Sequence, residues 1–226
     1  MKTKLVIATR ENQENFFKHT AAGKSLASQR QIPDIELILF VNNKEGLPKI
    51  YNEVIRESFG EPINLIFAHD DIFFLDFFWH ERILEALKSY EIIGIAGNKR
   101  RVPKQPSWFS TDINLNPDDL NLSGIVGHGD GFPASNIGYF GPSRQKVKLL
   151  DGLLFAVEST TLLNNNIFFD EQFKFHFYDL DLCRQAEEKN VSCGTWDISL
   201  IHVSTGNFKS ASWFNAYEKY LKKWGD

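Results

Sequence analysis

Sulfur is scarce in this chain. Two cysteines, Cys183 and Cys193, and one methionine stand among 226 residues. Two thiols are too few for a disulfide framework, and their spacing does not suit a structural zinc site. Positive charge is thin as well. The formal net charge is -4, and the densest basic cluster is Lys99-Arg100-Arg101, barely extended by Lys104. A broad phosphate-neutralising face is therefore missing, which argues against nucleic-acid binding; the basic cluster reads as a solvated loop. Long apolar runs are missing too. The opening Met1-Lys2-Thr3-Lys4-Leu5-Val6-Ile7-Ala8 is cut short by Arg10-Glu11, which denies it the length of a signal peptide, and no window is long enough for a transmembrane segment. A cytoplasmic location is expected. Neither a repeat nor a linker interrupts the sequence, and its length suits one sizeable core, so a single domain over 1–226 is expected.

Phenylalanine is the residue in excess, with 20 copies, several of them paired as in Phe73-Phe74, Phe77-Phe78 and Phe168-Phe169. Most read as core filler. Over the first hundred residues, apolar runs of strand length at 5–8, 35–41, 63–68 and 92–96 alternate with amphipathic stretches. At 47–57 the residues Leu47, Ile50, Tyr51, Val54 and Ile55 share one helical face, and at 77–87 Phe78, Ile83, Leu84 and Leu87 do the same. Strands with no polar alternation, separated by helices, imply a mainly parallel sheet flanked by helices: an α/β fold. Residues 99–145 hold five of the eight prolines, together with Gly124, Gly127, Gly129 and Gly131, and read as long irregular structure over a sheet edge. Strand patterning returns at 147–157, followed by a polar turn at 163–166. A helix at about 179–189, a strand at 195–203 and an amphipathic helix at about 211–223 complete the reading.

Ligands of open parallel sheets sit at the carboxyl ends of the strands. Those ends here are Thr9-Arg10, Asn42-Asn43 and His69-Asp70-Asp71. Aspartates after a strand can cap the next helix, but Ile72-Phe73-Phe74 is a poor helix start. Adjacent carboxylates repel unless a cation lies between them, and oxygen ligands suit Mg²⁺ or Mn²⁺. Further along, Asp179 and Asp181 open a helix, two apart and facing different ways, and His202 ends a strand-like run.

In this order the pieces resemble the family 2-like glycosyltransferases of the GT-A fold, in their short single-domain branch, over about residues 4–206. His69-Asp70-Asp71 resembles the DxD element with histidine first. Leu150-Asp151-Gly152-Leu153-Leu154-Phe155-Ala156-Val157 is similar to the family's "DG-apolar" strand. The passage Phe168-Phe169-Asp170-Glu171-Gln172-Phe173 leading to Phe177-Tyr178-Asp179-Leu180-Asp181-Leu182-Cys183-Arg184 is similar to its "FDE…F…ED-x-DL-x-R" segment. Ile201-His202-Val203-Ser204-Thr205-Gly206 matches "H-x-S-x-G", and Gly46-Leu47-Pro48 with Tyr51-Asn52 resembles the helix beside the nucleotide.

The resemblance implies a nucleotide-sugar donor, UDP- or GDP-linked, and a glycan or other hydroxyl acceptor, as in surface glycan or polysaccharide synthesis. It implies a nucleotide-binding half at about 1–100 and an acceptor and catalytic half at about 101–226. Mn²⁺ or Mg²⁺ would be held by Asp71, Asp70 and His202. Thr9, Arg10, Asn42 and Asp70 would hold the nucleotide, with Asp151 and Gly152 near the transferred sugar. Asp179 takes the place of the general base in an inverting displacement. Tyr178 stands where the pattern often has glutamate. Two rival classes use the same residues: a carbohydrate or phosphate hydrolase, which as a paired-carboxylate glycosidase needs no metal, and a non-catalytic nucleotide-sugar or carbohydrate-binding module, with Trp79, Trp108, Trp196 and Trp213 as stacking surfaces.

Overall fold

The computed structural model describes residues 1–29, 35–204 and 206–225; Thr205 of the terminal motif lies outside them. In chain order the first elements are β1 (Thr3–Ala8), α1 (Gln13–His19), α2 (Ala21–Ser28), β2 (Ile35–Phe40), α3 (Leu47–Glu57), β3 (Asn64–Ala68), β4 (Ile72–Phe74), α4 (Trp79–Ala86), β5 (Ile92–Gly94) and β6 (Ala96–Asn98). They are followed by β7 (Leu122–His128), β8 (Asn136–Gly141), β9 (Lys146–Val147), β10 (Leu149–Leu150), β11 (Leu154–Glu158) and α5 (Ser159–Asn164). The chain ends with α6 (Tyr178–Glu188), β12 (Cys193–Thr195), β13 (Leu200–His202) and α7 (Ala211–Trp224).

Seven strands form one sheet in the order β2-β1-β3-β11-β5-β12-β9. The fold is α/β as expected, but the sheet is mixed rather than mainly parallel. β1 runs parallel to β2 and β3, whereas β11 enters antiparallel between β3 and β5. Every strand buried on both faces is uniformly apolar whatever its direction, so the pattern could not show this reversal. A second sheet, β10-β6-β7-β13-β4 with β8 on β7, takes β7 and β8 from residues 99–145, where irregular structure was expected; residues 99–121 are irregular as expected. The expected single strands at 92–96, 147–157 and 195–203 are divided, with consecutive pieces passing from one sheet to the other. The expected turn at 163–166 begins inside α5 instead.

Helix α3 forms as its pattern requires. Pro48 in the first turn costs no hydrogen bond, and Ile50, Tyr51, Val54 and Ile55 are buried beneath it. Asn12 and Thr20 cap α1 and α2 by accepting from Asn15 N (2.9 Å) and Gly23 N (3.0 Å). The buried apolar side chains join in one cluster that draws on both sheets and includes Phe16, Phe67, Phe155 and Phe173.

Candidate functional site

Three consecutive backbone groups after β3 are tied to three different elements. His69 N donates to Leu153 O (3.1 Å), Asp70 O accepts from Ala22 N (3.0 Å), and Asp71 O accepts from Val203 N (2.9 Å). These ties hold the side chains of His69, Asp70 and Asp71 in fixed and divergent directions. Asp70 faces Thr9 and Arg10: burial raises its carboxyl pKa, while the Thr9 hydrogen bond and the Arg10 charge oppose the rise. Asp71 faces His202 at the end of β13, with Nε2 to Oδ2 at 3.4 Å. His69 brings Nδ1 to 3.8 Å from Asp71 Oδ1.

One ligand atom each from His69, Asp71 and His202 lies within 4.8 Å of the others. The hydrogen bonds on the far side of His69 fix its tautomer. Tyr178 has one hydroxyl proton, and it goes to Gly152 O at 2.6 Å. His69 Nε2, 2.8 Å from the same oxygen, must therefore be the donor. Burial lowers the His69 pKa to about 4, so the ring is neutral and Nδ1 carries a lone pair. That lone pair faces Asp71 Oδ1, which is buried and has no hydrogen-bond partner. Two acceptors turned on each other with no proton between them suit a cation, and an imidazole–carboxylate–imidazole set is one that divalent metal ions take. Asp70 lies outside this cluster, and His69 stands inside it.

Two cavities meet here. The first, about 1070 Å³, is lined by Thr9, Arg10, Asn42, Asn43, Lys44 and Asp70. Arg10, Lys44 and Lys174 supply its positive charge, with Glu11 and Glu45 among them. The second, about 610 Å³, holds Asp151, Gly152, Asp179 and His202. His69, Asp71 and Phe175 line both.

Asp179 and Asp151 meet over Gly152. Asp179 Oδ2 accepts from Gly152 N at 3.3 Å. A Cβ on Gly152 would lie 2.6 Å from the Tyr178 hydroxyl and 3.0 Å from Asp179 Cβ, so only glycine lets the loop pass. Burial first, and then the Asp151 charge, raises the Asp179 pKa to about 7. Burial raises that of Asp151 to about 6, against the opposing pull of His202. Asp181, two residues on, points away: Lys223 Nζ approaches its Oδ1 at 2.6 Å.

The nine residues expected to hold donor, metal or base line one or both cavities: Thr9, Arg10, Asn42 and Asp70 the first, Asp71 both, and Asp151, Gly152, Asp179 and His202 the second. Sequence reasoning placed His69 only as the first residue of the DxD-like element and gave Tyr178 no role. Their signal was present in the histidine directly after a buried strand, but the Tyr178 link spans 109 residues. Asn52, expected beside the nucleotide, ties α3 to Phe169 through bonds to its carbonyl (2.8 Å) and from its amide (3.0 Å).

A family model described as "Glycosyltransferase like family" matches residues 5–224. Among solved structures, S. aureus TarS 1-349 aligns with a TM-score of 0.50 and 15% identity over 90% of this chain and 60% of that one. The same S. aureus protein in complex with UDP aligns with a TM-score of 0.49 and 16% identity over 88% and 59%. The chain spans about 60% of the length of the TarS 1-349 structure. No curated protein sequence matches significantly. The likeness to TarS is one of fold, while the family match covers nearly all of the chain. This chain belongs to the glycosyltransferase-like family, and its fold is that of the GT-A proteins.

Proposed function

We propose that the protein transfers a sugar from a UDP- or GDP-linked donor to an acceptor hydroxyl with inversion, and that it does so in the cytoplasm as one domain. Residues of about 1–100 would hold the nucleotide and those of about 101–226 the acceptor and the base. The observation that carries this reading is the meeting of two chemically different cavities at His69 and Asp71, one bearing Arg10, Lys44 and Lys174 and the other bearing Asp151 and Asp179. A diphosphate suits the first. An acceptor hydroxyl needing deprotonation suits the second.

Thr9, Arg10 and Asn42 would bind base, ribose and phosphate, with Asp70 orienting Thr9 and Arg10. Mn²⁺ or Mg²⁺, held by His69, Asp71 and His202, would neutralise charge on the departing diphosphate as a Lewis acid. Asp151 and Gly152 would border the transferred sugar. Asp179 would accept the acceptor's hydroxyl proton as that oxygen bonds to the anomeric carbon. The anomeric bond to the diphosphate breaks with its electron pair leaving on the phosphate oxygen. A carboxylate with pKa about 7 is a stronger base than an ordinary one and is still ionised in about half of the molecules at neutral pH.

Asp179→Asn should lower turnover roughly 10²- to 10⁴-fold, the span expected for a positioned base. Thermal shifts with UDP and GDP, with and without Mn²⁺, should be unchanged in the variant, since ligands of the folded state raise its melting temperature. Loss of nucleotide binding in step with activity would assign Asp179 to the donor site instead.

A further inference from the structure

The two cavities differ in the charge they offer a ligand. Among the described residues no lysine or arginine lines the second cavity, and its charged side chains apart from histidines are Asp71, Asp151 and Asp179. A cation held by His69, Asp71 and His202 would be taken up by the donor's diphosphate, so an anionic acceptor entering the cavity would lose water and meet Asp151 and Asp179 with no lysine or arginine in return, an arrangement that rejects negative ligands. Much of the rest of its wall is aromatic. Phe208 is 41% exposed and Phe175 50% exposed. Phe109 and Phe208 meet edge to face at 5.3 Å, as do Trp108 and Phe109 at 5.6 Å. Phe208 thus stands partly exposed on the cavity wall with Phe109 packed against it. Ser204, Asn207 and His128 provide hydrogen-bonding groups beside it. Rings with neutral polar groups around them match a pyranose, which alternates an apolar C–H face with hydroxyls.

We infer that the acceptor is an uncharged pyranose-containing glycan whose C–H face lies on Phe208, with the reacting hydroxyl directed at Asp179. The inference rests on the glycosyl-transfer reading of the same site and adds the acceptor's chemical class. It commits to a neutral sugar over phosphate-bearing or sulfated ones, and over a lipid surface, since the aromatic wall lies inside a cavity that ends on carboxylates.

The test uses the full chain with Mn²⁺ and UDP or GDP, whichever binds. Neutral trisaccharides of glucose, galactose and N-acetylglucosamine, and the phosphorylated form of each, are titrated while tryptophan fluorescence is followed; Trp108 and Trp213 both line the cavity. At least one neutral trisaccharide should bind, and its phosphorylated form should bind at least tenfold more weakly. Phe208→Ala should weaken the neutral ligand five- to thirtyfold, and Phe208→Tyr should restore it. The inference is overturned if phosphorylated forms bind as well or better, if Phe208→Ala leaves affinity unchanged, or if no neutral trisaccharide binds at 50 mM. The thermal shift with nucleoside diphosphate, measured on the same samples, separates the two ideas. Failure of that shift strikes the donor reading, whereas a normal shift with failed sugar binding strikes only the acceptor class.

Discussion

Tyr178 acts on the cavity junction through one proton. Its hydroxyl gives that proton to Gly152 O and receives one from His69 Nε2, which leaves the His69 Nδ1 lone pair facing Asp71. In Tyr178→Phe, Nε2–H loses its acceptor in a buried place, and the ring gains by moving its proton to Nδ1. There it would donate to Asp71 Oδ1 and fill the position a cation would take. Partners that orient a metal-binding histidine are worth 10- to 100-fold in affinity, so Mn²⁺ should bind Tyr178→Phe more weakly by that factor. Electron spin resonance titration measures the affinity, and ¹⁵N spectra of the imidazoles should show His69 changing tautomer. Unchanged Mn²⁺ affinity alongside a changed tautomer would remove His69 from the ligand set. The loss of two hydrogen bonds should also cost about 1–3 kcal/mol, or some 2–12 °C in a domain of this size.

At the scale of elements, α7 is fastened by its last turn. Lys223 Nζ lies 2.7 Å from Asp170 Oδ2 and 2.6 Å from Asp181 Oδ1. Asp181 is 0% exposed and also accepts from Trp224 Nε1 (2.9 Å) and Gln185 Nε2 (2.8 Å). Removing one partner of a buried pair leaves the other's charge uncompensated, at a cost of about 3–5 kcal/mol. Lys223→Met should therefore lower the melting temperature by roughly 6–20 °C. Lys223→Met with Asp181→Leu should recover much of it, because the buried charge is gone. A double variant no more stable than the single would show that the bond network, not charge burial, holds α7. Asp181 also shows how far the sequence could be read. Its spacing from Asp179 correctly implied that the two face different ways, but a lysine 42 positions later gave no sign of being its partner. The helices over 47–57 and 211–223 were legible from apolar spacing alone. β7 and β8 were not, since their glycines and the nearby prolines look like loop composition. In β7, Gly124 lies where a Cβ would come within 2.2 Å of Ile95 O, so the glycine marks close strand approach beside a register shift.

For the whole molecule, the buried carboxylates tie stability to pH. Asp179 and Asp151 have folded pKa values of about 7 and about 6 against about 3.9 in an unfolded chain. The folded protein therefore holds these protons more tightly. Their contribution is fully present below about pH 4 and is lost as pH rises through about 6 to 7. His69, His128 and His176 have lowered pKa values, chiefly from burial, and act in the opposite sense, losing stability as pH falls below about 6.5. His202, raised by Asp71 against the effect of its own burial, acts in the same sense as the carboxylates. A melting curve of the wild type alone mixes these terms, but a difference between variants isolates one. With EDTA present, the melting temperature of Asp179→Asn minus that of the wild type should increase from pH 5 to pH 8. After allowance for the partial exposure of Asp179, the change should correspond to about 1–2 kcal/mol, or roughly 2–8 °C. Since Asp151 and Asp179 titrate as a pair, Asp151→Asn should bring the remaining Asp179 transition to lower pH, by removing the negative charge that raises it. A difference that stays flat from pH 5 to 8 would mean that Asp179 is fully ionised throughout. Such a carboxylate, of ordinary basicity, would gain little driving force for taking the acceptor's proton, and burial would then be holding it in place for binding rather than for proton transfer.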